Sequence, residues 1–182
     1  MFYPRERRGI QYNGPLSSHH ITQFLLNAQN PLTVVHTAQD LLDLRASRPG
    51  GQALVGHFPD LRPFDSETLN IGYRRFLHAS YELLEYDPFR SEVGPMAVVT
   101  SPRLAFQLKL GPSQPVRYFH WDGDTSAYPN RTISSANGLM NWAFGRSKKL
   151  TSWMGPVGRK SNRLAQQLLH GKLSTFLQKE KI

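Results

Sequence analysis

Short apolar runs alternating with helical patterns restrict this chain to an α/β fold. Leu32 to Thr37 (LTVVHT), Ala53 to Phe58 (ALVGHF), Met96 to Thr100 (MAVVT) and Val116 to Trp121 (VRYFHW) are rich in β-branched or aromatic residues and read as strands. A further short edge strand is expected near Ala127, after the Asp122-Gly123-Asp124 turn. Ala38 to Ser47 reads as a short helix. Asp65 or Ser66 is a suitable cap for a longer helix to about Glu85, with Leu69, Tyr73, Phe76, Leu77, Tyr81 and Leu84 at helical spacing. Pro102 to Leu110 opens with a proline that a first helical turn accepts, and Ser134 to Gly145 completes the series. Ahead of it all, Ser17 or Ser18 is placed to cap a helix through Asn27, which Asn30-Pro31 terminates.

This order implies a parallel pair of strands with a right-handed crossover, then a hairpin that makes the sheet mixed. The expected fold is an α/β three-layer sandwich with a mixed central sheet and flanking helices. Residues 31–149 are its size, with 1–30 and 150–182 as appendages.

Composition narrows the chemistry. The chain has 182 residues and no cysteine, which excludes disulfide exchange, a thiolate nucleophile and cysteine-ligated zinc. The net charge is +9, but it is unevenly placed. Residues 145–182 carry nine Lys or Arg against Glu180, whereas residues 31–144 carry ten basic and eleven acidic side chains. A phosphate-binding surface across the central domain is therefore not expected. The basic tail favours a solvated helical face over a polyanion site, because stacking aromatics are not interleaved with its cations. Its Leu164, Leu168, Leu169, Leu173, Phe176 and Leu177 form an apolar stripe at helical spacing.

Motifs for catalysis are lacking. The seven histidines are scattered and show no metal-binding spacing, although His36 and His57 fall on strands expected to be neighbours. Gly155 to Ser161 (GPVGRKS) lacks the spacing of a phosphate loop. No cofactor or metal is expected. Asn130-Arg131-Thr132 is an N-glycosylation sequon. Pro115 stands just before a strand, and either a cis or a trans bond is compatible with that position. Tyr118, Phe119, Trp121 and Tyr128 concentrate aromatic surface around the fourth strand. Alternation sends some of them to the core, and Tyr118, Trp121 and Tyr128 are the candidates for contact with a protein client.

The order from Leu32 to Phe144 resembles a thioredoxin fold. Ile10 to Pro15, with the helix running into Asn30-Pro31-Leu32, resembles the last strand, turn and helix of a preceding thioredoxin domain, joined as in protein disulfide isomerases. Asp40-Leu41-Leu42-Asp43-Leu44, Leu54-Val55-Gly56-His57-Phe58 and Asn141-Trp142-Ala143 are similar to segments of endoplasmic-reticulum members of that family. So are Leu150 to Trp153 and Gly158-Arg159-Lys160-Ser161. The resemblance implies a strand and helix remnant at 1–30, a thioredoxin-like domain at 31–149, and the start of a further domain at 150–182.

Family redox chemistry needs a Cys-x-x-Cys at a helix N-terminus. The loop from Pro59 to Phe64 has nothing to serve in its place. The expectation is a non-catalytic spacer and client-binding module of a folding factor, reached through neighbouring thioredoxin domains of a longer parent. The resemblance implies secretory or membrane clients, dual oxidases among them, and the endoplasmic-reticulum lumen. Met1 to Ile10 carries no signal-peptide pattern, so that location requires the longer parent. A small basic RNA- or ribosome-associated protein is the alternative.

Overall fold

The structure is a computed structural model and describes residues 9–47, 50–61 and 71–147. A five-stranded sheet lies at its centre, in the order β1-β3-β2-β4-β5. The strands are β1 (Thr33–Val35), β2 (Ala53–His57), β3 (Met96–Val99), β4 (Val116–Phe119) and β5 (Thr125–Ala127). β1, β3 and β2 run parallel, while β4 runs antiparallel to both β2 and β5. The mixed sheet expected from sequence is present, with one difference. β1 and β2 are parallel but not adjacent, because β3 lies between them. β3 is buried along its whole length and suits an inner position, whereas β1 buries only Val35 and suits an edge.

Side-chain alternation divides the sheet between two cores. Leu54, Met96, Val98, Val116 and Tyr118 face helices α3 (Ile71–Tyr86) and α5 (Ala136–Arg146), which supply Phe76, Ala79, Leu83, Leu139, Met140 and Phe144. Val35, Ala53, Val55, Ala97, Val99 and Phe119 face α2 (Ala38–Ala46) and α4 (Pro102–Gln107), which supply Leu41, Leu104 and Ala105. Helix, sheet and helix thus form the three layers of a thioredoxin-like sandwich.

Local chemistry sets the helix starts. Thr37 and Asp40 form a reciprocal capping box at α2. Ser101 caps α4 ahead of Pro102, and Ser135 caps α5. Ser17, one of two candidates from the sequence, caps α1 (Ser18–Gln29). The expected caps of the long helix, Asp65 and Ser66, lie outside the described residues, as does the C-terminal helix.

Residues 9–17 form no strand. They lie against the end of α3, where the Gln11 amide and the Asn13 side chain donate to Glu85. In α1, Phe24 and Asn27 are buried. Tyr12 packs on Phe24 with ring centroids 4.9 Å apart, and Asn27 donates to the Pro88 carbonyl at 2.9 Å. Ile21, Leu25 and Leu26 remain exposed.

The segment between α3 and β3 ties these parts together. The buried Asp87 carboxylate accepts from the backbone amides of Ser91, Glu92 and Val93 at 2.7–3.0 Å. Arg90, also buried, donates to the carbonyls of Pro31 and Ser80, both at 3.0 Å. Gly94 follows with φ +86°, and a Cβ there would stand 2.3 Å from the Gln52 carbonyl oxygen. Replacing Asp87 with Ala strands those amides in a dry site. The expected loss is about 2–4 kcal/mol of unfolding free energy, measured by urea denaturation.

Candidate functional site

The carboxyl end of β2 and the entry to antiparallel β4 form one wall of an open cleft of about 310 Å³. His57, Phe58, Ile71, Gly72, Pro115, Arg131, Thr132 and Ile133 line it. Four separate stretches of chain therefore meet there: the end of β2, the described start of α3, and the two loops either side of the β4–β5 hairpin.

Backbone bonds hold the walls. The His57 amide donates to the Pro115 carbonyl at 2.8 Å, and the Phe58 amide donates to the Val99 carbonyl at 3.0 Å. The Arg75 guanidinium donates to the Ile133 carbonyl at 2.6 Å and pins the loop that leads into α5. Phe58 folds back against Phe76 and Tyr73, with ring centroids 5.2 and 5.7 Å away. Gly56 permits this turn, because a Cβ there would lie 2.4 Å from the Phe58 ring. The result is an apolar floor of Phe58 and Ile133 with Ile71 partly exposed above it.

His57 is the titratable group of this floor. Its Nε2 is buried and has no hydrogen-bond partner among the described residues. Burial lowers its pKa below the ordinary 6.5, so the ring is neutral at physiological pH. The cation at the rim is Arg131, which is exposed. The arrangement offers apolar contact, a rim charge and exposed loop backbone.

Other candidates lie elsewhere. His36 is exposed at the end of edge strand β1, and β3 separates that strand from His57. The two imidazoles are therefore not on adjacent strands as the sequence suggested. The peptide bond before Pro115 is trans. The Gln114 carbonyl of that peptide unit accepts from the Gly111 amide, and the Pro115 carbonyl that follows accepts from the His57 amide.

The aromatic set also needs correction. Tyr118 is 0% exposed and Tyr128 is 3% exposed, so neither can touch a client in the folded chain. Alternation puts Tyr118 on the α5 side of the sheet, edge-on to Trp142 at 6.4 Å, and Tyr128 meets the same indole at 5.2 Å. Burial, and then the Asp87 carboxylate, push the Tyr118 hydroxyl pKa well up, which keeps it protonated. Trp121 is 55% exposed. It follows β4, whose end pairs with the start of β2, so it stands at the opposite end of the sheet from the cleft. Asn130 is exposed on the loop after β5, beside the cleft-lining Arg131 and Thr132.

The cleft residues missed in the sequence, Ile71, Gly72 and Ile133, come from distant positions and carry no motif. Their one signal is the fold itself, because ligand sites of open α/β sheets gather at the carboxyl ends of strands.

No family model matches the chain. Two curated relatives do. Thioredoxin domain-containing protein 11 of Bos taurus is 29% identical over 171 residues, which is 93% of this chain and 17% of the relative. The protein of the same name from Homo sapiens is 25% identical over 93% of this chain and 19% of its own length. The chain is related to thioredoxin-like proteins. It spans less than a fifth of the length of these relatives. In this thioredoxin-like sheet the cleft lies at the end of β2, beside the described start of α3.

The neutral state of His57 has a measurable consequence. Because its folded pKa is lowered, the unfolded chain binds the proton first as pH falls. Stabilisation from the neutral ring is complete above about pH 6.5 and is lost as pH falls through the lowered folded value. Urea midpoints at pH 8 and pH 5 should therefore differ less for His57→Gln than for the parent chain.

Proposed function

We propose that this chain is a non-catalytic thioredoxin-like module of a folding factor of the disulfide isomerase family, working in the endoplasmic reticulum as a spacer and client-binding domain. The observation that carries this reading is the cleft at the end of β2. It lies at the end of β2, beside the loop where the family resemblance would put a thioredoxin active site, and its floor is Phe58 and Ile133 in a chain without cysteine. An apolar floor with a cationic rim suits an extended, partly unfolded polypeptide better than a small polar substrate.

Binding of this kind fits a folding factor, because unfolded clients expose the apolar side chains that folded proteins bury. The dual oxidases, suggested by the family resemblance, are one class of such client. The neighbouring thioredoxin domains of a longer parent would then supply the thiol chemistry, and this module would hold the client between them. The alternative nucleic-acid reading depends on the basic stretch 145–182, of which 148–182 lie outside the described residues.

The test is titration of the labelled chain with a short extended peptide of alternating apolar residues, followed by NMR. Saturable shifts are expected at His57, Ile71 and Thr132. Ile71→Asp, at a partly exposed position, should weaken binding about tenfold through loss of about 1–2 kcal/mol of apolar contact, with the urea midpoint nearly unchanged. Binding that ignores this substitution, or shifts confined to the opposite end of the sheet around Trp121, would move the client surface away from the cleft.

A further inference from the structure

Asn130 stands at the mouth of the cleft. It is exposed, and the two residues that complete its sequon, Arg131 and Thr132, are both exposed and both line the cleft wall. The loop is held at each end, so the position of Asn130 is set by the fold. Tyr128 is buried on one side, and its amide donates to the Val116 carbonyl at 2.9 Å. Ile133 is buried on the other, with its carbonyl bound by Arg75. Between these anchors Pro129 to Thr132 can only bulge outward, and every residue of the bulge is exposed. Ser135 then caps α5 directly after it, its hydroxyl accepting from the Gly138 amide at 3.0 Å.

We propose that Asn130 carries an N-linked glycan that covers the cleft and sets how large a partner can enter. This rests on the lumenal reading given above. In the modification, the Asn130 carboxamide nitrogen forms a bond to the anomeric carbon of an oligosaccharide carried on a lipid pyrophosphate. The bond from that carbon to the pyrophosphate oxygen breaks, and the lipid pyrophosphate leaves with the electron pair. The amide gives up one proton, and an oligosaccharyltransferase of the secretory lumen brings the two substrates together. The hydroxyl of Thr132 is the second requirement of the motif.

A sugar chain is bulky and strongly hydrated, so it cannot settle on the apolar floor. Rooted one residue from the cleft wall, it must extend across or beside the opening. A small or extended ligand passes beneath such a cover, whereas a folded surface is turned away. The glycan thereby biases a cleft with an apolar floor toward unfolded segments and against association between folded copies.

The cysteine-free sequence makes a clean test. The full chain is delivered to the lumen of secretory cells behind a cleavable signal sequence, which separates this question from where the parent resides. A gel-mobility shift is expected that peptide N-glycosidase removes, that Asn130→Gln and Thr132→Ala abolish, and that Thr132→Ser keeps. Single cysteines are then placed at Ile71, on the cleft, and at Phe106, which is 84% exposed on α4 at the far face of the sheet. After purification and reduction, a polymer-linked maleimide should label Ile71→Cys slowly until the glycan is removed and faster afterwards. Labelling of Phe106→Cys should be the same before and after.

An unmodified Asn130 in the lumen-delivered chain overturns the proposal, and so do equal labelling rates at Ile71→Cys with and without the glycan. Neither result bears on peptide binding by the cleft, which uses unglycosylated protein. Failure of that binding in turn leaves the labelling comparison standing.

Discussion

The arrangement depends most on the buried corner between α3 and β3. A carboxylate surrounded by backbone amides has no low-energy alternative away from water, so Asp87 fixes the path of residues 91–93 once it is buried. Arg90 does the same in the other direction, as its guanidinium holds the carbonyls of Pro31 and Ser80. The start of β1, the body of α3 and the entry to β3 thus share one polar cluster. Ser147, at the end of α5, and the Gln52 side chain, just before β2, both donate to the Glu92 carbonyl. Almost every element that packs on the α3 face is tied to a stretch of eight residues.

That corner sits at the amino ends of β2 and β3, opposite the cleft. The separation has a physical use. Where the backbone is bound on all sides, a surface cannot also offer itself to a partner without leaving polar groups unmet. At the carboxyl end of β2 the Phe58 ring packs on those of Phe76 and Tyr73. The polar cluster thus lies at one end of the sheet and the cleft at the other, the end where ligand sites of open α/β sheets gather.

Much of the fold was legible in the chain because two periods alternate within it. Runs such as MAVVT and ALVGHF are too short for helices and too apolar for loops, and the Ser17 cap and the opening Pro102 mark where helices begin. The neighbours within the sheet were not legible, since nothing local to β1 and β2 states that β3 will pass between them. The aromatic candidates went astray for a related reason. Tyr118 and Trp121 lie three residues apart, one strand and one turn, and the register of β4 sends the first inward and the second to the far end of the sheet.

The sequence by itself determined what this chain cannot do with thiols, because chemistry that requires cysteine is settled by its absence. It also determined the order of elements, which rests on hydrophobic period and capping, both properties of neighbouring residues. Only the tertiary structure decided that His57, Ile71, Pro115 and Thr132 share one cleft and that Asn130 stands at its edge. Those residues meet through β-ladder register and helix packing across the sheet, and such long-range contacts leave no mark on the residues beside them in the chain.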